Sequence, residues 1–118
     1  MGKKILVIEN DVDTAYIIME ILKQAGYVVF QTTVGSFDVD LRIIHPDIII
    51  IDYKLGNFIN GAHLCEKIKN NILTADTPAI LISACPGLPE IALACKADAY
   101  IEKPFDINYF VSTVNIFV

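Results

Sequence analysis

Nothing in this chain of 118 residues approaches the roughly 18 consecutive apolar positions of a membrane-spanning helix, because charged side chains interrupt every apolar run. The start, MGKKILVIEND, places only four apolar residues between its lysines and its first acid, which fails the pattern of a secretory signal. Leu6 stands where a myristoylation motif wants Ser or Thr. Cysteine is scarce: Cys65, Cys85 and Cys95 are odd in number and lack close paired spacing, which argues against a disulfide framework or a zinc site. Basic clusters are missing beyond Lys3 and Lys4, and the net charge is −5, so nucleic acid is not expected as a direct ligand. No GxGxxG or Walker A pattern occurs anywhere, which removes the phosphate-cradling loop that a dinucleotide-binding or flavodoxin-type module needs. Repeats, linkers and low-complexity stretches are absent too. These exclusions leave a single reduced, cytoplasmic domain with no membrane partner, long enough to bury a core and too short for two.

What is present is apolar and periodic, with 54% hydrophobic residues and a mean hydropathy of +0.53. Ile5 to Ile8 reads as a short buried strand, followed by Ala15, Ile18, Met19, Leu22 and Ala25 at helical spacing, with Gly26 as a stop. Val28 to Phe30 predicts a second strand. Phe37 to Ile44 predicts a short helix that ends before His45, since Pro46 disfavours helical geometry in the residue preceding it. Ile48 to Ile51 predicts the third strand. Leu64, Cys65, Ile68 and Ile72 form a helical stripe, Ala79 to Ile82 a fourth strand, Ile91 to Cys95 a short helix and Ala99 to Ile101 a fifth strand. Asp106 can cap a last helix carrying Phe110, Val111, Val114 and Phe117.

Strands alternating with helices predict an α/β domain with a parallel sheet covered on both faces, because right-handed crossovers leave few other packings. The run IIIID, Ile48 to Asp52, fits such a sheet: strands buried on both faces are continuously apolar. Its acid arrives where the strand emerges at the carboxyl edge, the edge where open sheets of this kind bind ligands. Glu9, Asn10 and Asp11 follow strand one, Ser83 ends strand four, and Lys103 comes two residues after strand five. Carboxylates, a hydroxyl and an ammonium therefore converge on one edge. Taken singly, Asp11 or Asp13 also reads as a helix cap, Ser83 as a turn residue and Lys103 as a solvated lysine.

These same residues carry a resemblance to response-regulator receiver domains that covers essentially the whole chain, 1–118. KKILVIENDVD resembles the family's first strand and acidic cluster, PDIIIIDYKLG the strand bearing its phosphoacceptor, and NGAHLCEKIK the start of its third helix. PAILISA resembles the fourth strand with its hydroxyl residue, and ADAYIEKPF the fifth with its Lys-Pro, the most specific of the matches. The resemblance implies a flavodoxin-like, doubly wound five-stranded sheet in the order 2-1-3-4-5 with five helices. It implies that Asp52 takes a phosphoryl group from a sensor histidine kinase or phosphotransfer protein, as members catalyse their own phosphorylation and dephosphorylation. Mg2+ would be held by Glu9, Asn10, Asp52 and the backbone carbonyl of Lys54, with Lys103 as the second cation and the Ser83 hydroxyl donating to a phosphoryl oxygen. Ser83 and Tyr100 would form the switch, read by a downstream target, an effector domain or a second copy docked on the face formed by helix 4, strand 5 and helix 5. Without the resemblance, Tyr100 reads as a half-buried strand aromatic that does not move.

Several positions depart from the family pattern. Two adjacent acids usually follow strand one, and here the pair is Glu9 and Asn10. A neutral amide oxygen binds a hard dication less strongly than a carboxylate, so weak Mg2+ affinity is expected unless Asp11 swings in. The loop DYKLGNFING has Gly56 where the family commonly has Pro and is one residue longer, which predicts a mobile loop. Lys54 and Cys85 lie two positions beyond Asp52 and Ser83 and border the phosphoryl group, where Lys54 either shields the acyl phosphate or points away. CPGLPEIALAC gives a short fourth helix with Pro86 and Pro89 near its start. A dehalogenase-type phosphatase would need a second Asp where Lys54 stands. The serious rival is a degenerate receiver that docks proteins independently of phosphorylation, motivated by Asn10 and opposed by the retention of Asp52, Ser83 and Lys103. Ending at Val118 with no effector domain, the sequence is either a stand-alone receiver or part of a longer regulator.

Overall fold

The computed structural model describes residues 2–55 and 59–118. Along them run β1 (Lys4–Ile8), α1 (Val12–Gln24), β2 (Val28–Thr32), α2 (Phe37–Ile44), β3 (Ile48–Asp52), α3 (Gly61–Asn70), β4 (Ala79–Ser83), α4 (Leu88–Ala94), β5 (Ala99–Glu102) and α5 (Ile107–Asn115). The strands form one parallel sheet in the order β2-β1-β3-β4-β5. The doubly wound architecture is therefore the one the resemblance implied.

Alternation of side chains along each central strand explains why these strands are apolar throughout. Leu6, Ile8, Ile49, Ile51, Ala79 and Leu81 face a core closed by Phe37 and Leu41 of α2, Leu64 and Ile68 of α3, and Leu88 of α4. Ile5, Val7, Ile48, Ile50, Ile80 and Ile82 face the other core, closed by Ile18 and Leu22 of α1 and Phe110 and Val114 of α5. Every residue of β3 is buried, Asp52 included.

Local chemistry sets the helix ends. Asp11, Asn60 and Asp106 each accept a hydrogen bond from the backbone N–H three residues on, capping α1, α3 and α5. Gly26, at φ +98°, closes α1 in the left-handed region that favours glycine, and α2 ends at Ile44 with His45 left-handed. Several boundaries differ from the sequence reading. β2 continues past Phe30 to Thr32, and α4 begins at Leu88, whose side chain is fully buried. Ile72, placed in the stripe of α3, lies beyond the helix and is 92% exposed. Asn71 leaves helical geometry there, and its side chain accepts from the Leu73 N–H while the Thr74 hydroxyl donates to the Ile68 carbonyl. The expected looseness around Gly56 falls on residues 56–58 and lies outside the described residues.

One glycine bears directly on Asp52. Gly61 starts α3 and donates its N–H to the Tyr53 carbonyl at 2.7 Å. A Cβ there would stand 2.4 Å from the Asp52 carbonyl and 2.9 Å from both Ile51 Cγ2 and Tyr53 Cα. Backbone cannot yield as a flexible side chain does, so Gly61→Ala is expected to push α3 off the end of β3. The cost is about 2 kcal/mol, measurable by denaturant unfolding, and an unchanged midpoint would contradict the close packing.

Candidate functional site

At the carboxyl edge the sheet delivers a buried acid to a cation. Asp52 ends β3, and its Oδ2 accepts from Lys103 Nζ at 2.7 Å while its Oδ1 accepts from the Lys54 backbone N–H at 2.9 Å. Lys103 follows β5, anchored by its own N–H on the Ser83 carbonyl at 2.9 Å. Its side chain keeps 29% exposure against 8% for that of Asp52. The ammonium thus keeps partial access to solvent, whereas the carboxylate is enclosed.

Glu9 lies beside this pair. It follows β1, where its N–H donates to the Thr32 carbonyl at 3.1 Å and its carbonyl accepts from Gln31 Nε2 at 2.7 Å. Oε1 accepts from the Asp11 N–H at 2.9 Å, and Oε2 is buried without a hydrogen-bond partner. Burial, and then the adjacent Asp52 carboxylate, push the Glu9 carboxyl up to about 8 against the weaker pull of the Asp11 amide and the Lys103 charge. Burial alone would raise Asp52 as well, but the Glu9 carboxyl group, the Lys103 ammonium and the Lys54 amide outweigh it and hold Asp52 below the usual carboxylate range. Two acids of opposite tendency, one ready to stay neutral and one ionised, therefore share a buried corner.

The other predicted residues take distinct places. Ser83 ends β4, next to β3, and is buried; its Oγ accepts from the Cys85 N–H at 2.9 Å, leaving the hydroxyl proton free to donate. Tyr100 lies on β5, paired with Leu81, and is 37% exposed over a groove of about 450 Å³ that also touches Leu93, Tyr109 and Ile116. Asp11 caps α1 through Thr14. Asn10 has both amide atoms engaged by backbone: Nδ2 donates to the Leu55 carbonyl and Oδ1 accepts from the Val34 N–H at 3.0 Å. The Lys54 side chain is exposed. Gln31, which supports Glu9, escaped the sequence reading; an amide inside the β2 run was the available signal. A larger groove, about 840 Å³ between α2 and α3, contains none of these residues.

The donor set suits a hard dication with few protein ligands. Mg2+ commonly takes one or two carboxylates and keeps several waters, and the corner offers Asp52 and the unpartnered Oε2 of Glu9. Among the described residues no three acids, histidines or cysteines cluster as a metal site, so what the fold offers is a sparse oxygen site. A cation there would answer both the orphaned oxygen and the raised Glu9.

Fold and site together define a doubly wound α/β domain with two buried acids and a lysine at the carboxyl edge of its sheet. The response regulator receiver domain profile matches residues 5–115, and the chain belongs to that family. It is similar to Protein PilG of Pseudomonas aeruginosa, with 32% identity over 88% of this chain and 78% of that protein. It is also similar to the polar-differentiation response regulator DivK of Brucella ovis, with 25% identity over 100% and 98%. Against the DNA-binding dual master transcriptional regulator RpaA of Synechocystis the identity is 28% over 94% of this chain, which spans 47% of that protein's length. Among solved structures, the signal receiver domain of a signal transduction histidine kinase from Syntrophus aciditrophicus superimposes with a TM-score of 0.86 at 27% identity, covering 98% of this chain and 89% of that one. The chemotaxis protein CheY4 of Vibrio cholerae, at 17% identity and a TM-score of 0.88 over 100% of both chains, shares the fold. Among the described residues no helix is long and apolar enough to cross a membrane.

Proposed function

We propose that this receiver domain accepts a phosphoryl group on Asp52, in the cytoplasm, from a histidine kinase or phosphotransfer protein, and that the phosphorylated form engages a protein target or effector domain. The observation that carries the reading is the buried Asp52 carboxylate held ionised against Lys103 at 2.7 Å. A carboxylate oxygen attacks phosphorus, the phosphorus–nitrogen bond of the donor breaks, and the imidazole leaves with the electron pair and takes up a proton. Charge in such a transfer sits on the equatorial oxygens, so positioned cations do most of the work. Lys103 can follow the charge from Oδ2 to a phosphoryl oxygen, and the free Ser83 hydroxyl proton can donate to another. Glu9, Asp52 and the Lys54 carbonyl would hold Mg2+, which supplies additional positive charge when bound.

Movement of Ser83 towards that group would open space beside β5 for Tyr100, whose half-exposed ring borders the groove between α4 and α5. Such a switch is a population shift set by the differential contacts of the phosphorylated state. The second reading, a docking module independent of phosphorylation, is favoured by one observation: Asn10 stands where the family's second acid would be. Incubation with a small phosphodonor and Mg2+ followed by intact mass measurement separates the two. One added phosphoryl group, lost in Asp52→Asn, is expected; no adduct under forcing conditions would leave the docking reading.

A further inference from the structure

We infer that Asn10 is a positioning residue, a latch whose carboxamide ties the loop carrying Lys54 to the turn after β2, and that this role excludes a carboxylate at position 10. Its two backbone partners differ in kind: the Leu55 carbonyl needs a donor and the Val34 N–H needs an acceptor. A carboxamide offers both from two separate atoms of one short side chain, whereas an ionised carboxylate has no donor, so the partners fix the orientation of Asn10 and set the position against an acid. The three segments joined are 45 and 24 residues apart in sequence, and no other side-chain hydrogen bond among the described residues links them through this point. Leu55 is buried, and its neighbour Lys54 supplies the amide that holds Asp52 Oδ1 at 2.9 Å. Fixing the Leu55 carbonyl therefore fixes the Lys54 amide, and through it the orientation of the Asp52 carboxylate. An Asp at position 10 would keep the bond from Val34 but turn an anionic oxygen on the Leu55 carbonyl. The chain thus holds a firmer acceptor loop in exchange for one fewer negative charge beside Glu9 and Asp52.

The catalytic arm of the test rests on the phosphoacceptor reading; the other two do not. Amide hydrogen exchange by NMR, Mg2+ titration and phosphorylation rate are compared in the unmodified protein, Asn10→Asp and Asn10→Ala. Asn10→Asp is expected to bind Mg2+ several-fold more tightly, yet to exchange the Lys54 amide about tenfold faster with the Val34 amide still protected. Its phosphorylation rate at saturating Mg2+ should fall at least threefold, a split between cation affinity and maximal rate that a merely weakened ligand would not produce. Asn10→Ala should expose both amides. A Lys54 amide unchanged in both variants, or an Asn10→Asp rate at saturating Mg2+ equal to or above that of the unmodified protein, overturns the latch. Absence of any adduct on the unmodified protein instead refutes the proposed function, and the exchange and titration arms then decide the latch alone.

Discussion

Glu9→Gln is expected to make the metal-free protein more stable at pH 8 while removing most of the stabilisation that Mg2+ confers. Glu9 is 3% exposed and its folded-state value is raised from 4.5 to about 8. Between those limits the folded state holds a proton that the unfolded chain has released, so stability falls as pH rises through this window and stays low above it. Below pH 4.5 both states are protonated and the penalty vanishes. Asp52, held low, works the other way: its contribution is present above its unfolded value and is lost as pH falls through its folded one. A neutral amide at position 9 removes the Glu9 penalty, worth about 2 kcal/mol at pH 8 once relaxation of a real site is allowed for. Urea unfolding at several pH values, with and without Mg2+, checks this. The two stability curves should converge towards pH 4.5 and separate towards pH 8, and Mg2+ should raise the midpoint of the unmodified protein far more than that of the variant. Equal stabilities at pH 8 would mean that the strain assigned to this corner does not exist. The cost is local: it comes from the burial of the Glu9 carboxyl and from the Asp52 carboxylate beside it.

The site was legible wherever chemistry follows directly from a strand end. An apolar run that stops at an acid or a serine reports both the sheet and its carboxyl edge, and Lys103 follows the fifth strand by two residues, so Glu9, Asp52, Ser83 and Lys103 were named from the sequence alone. Asn10 was legible as a position but not as a contact. Its partners, Val34 and Leu55, are loop backbone atoms whose approach depends on how three connections pack, and no periodicity encodes that. Gln31 was missed for a related reason: the strand it belongs to runs two residues past the last obviously apolar one, because pairing of Gln31 with Val7 and Thr32 with Ile8 extends the ladder. Ile72 shows the opposite error. Its spacing continues the α3 stripe, but the side chain of Asn71 offers the backbone a turn and the helix stops. Apolar spacing reports which face a helix buries and says nothing of whether the helix has already ended.

At the opposite edge of the sheet, Lys69→Met is expected to cost about 3 kcal/mol, the largest stability loss argued for any single side chain of this domain. Lys69 ends its course from α3 with its side chain 8% exposed, donating to the Ala75 carbonyl at 3.2 Å and the Thr77 carbonyl at 2.8 Å and pairing with Asp98 Oδ2 at 2.5 Å. All three ammonium protons thus have partners. The Asp98 oxygen also accepts from the Ala79 N–H at 2.8 Å, and the Asp98 N–H returns a bond to the Ala79 carbonyl. One ammonium therefore joins the end of α3, the turn after it and the starts of β4 and β5. Methionine matches the length of the lysine stem but leaves two carbonyls and a carboxylate without their donor. Adding Asp98→Asn should recover part of the loss, because the neutral amide oxygen can still accept from Ala79 and no uncompensated charge remains, so the double variant should be less destabilised than the sum of the two single ones. Chemical denaturation of the four proteins gives the cycle directly, and strict additivity would show that the pair is not coupled. Phosphoryl uptake by Lys69→Met below its unfolding transition should match that of the unmodified protein, since the network lies at the amino edge of the strands and Asp52 at the carboxyl edge. Loss of uptake in a folded Lys69→Met protein would instead mean that the two edges of the sheet communicate through β4 and β5, the strands that carry Ser83 and lead to Lys103.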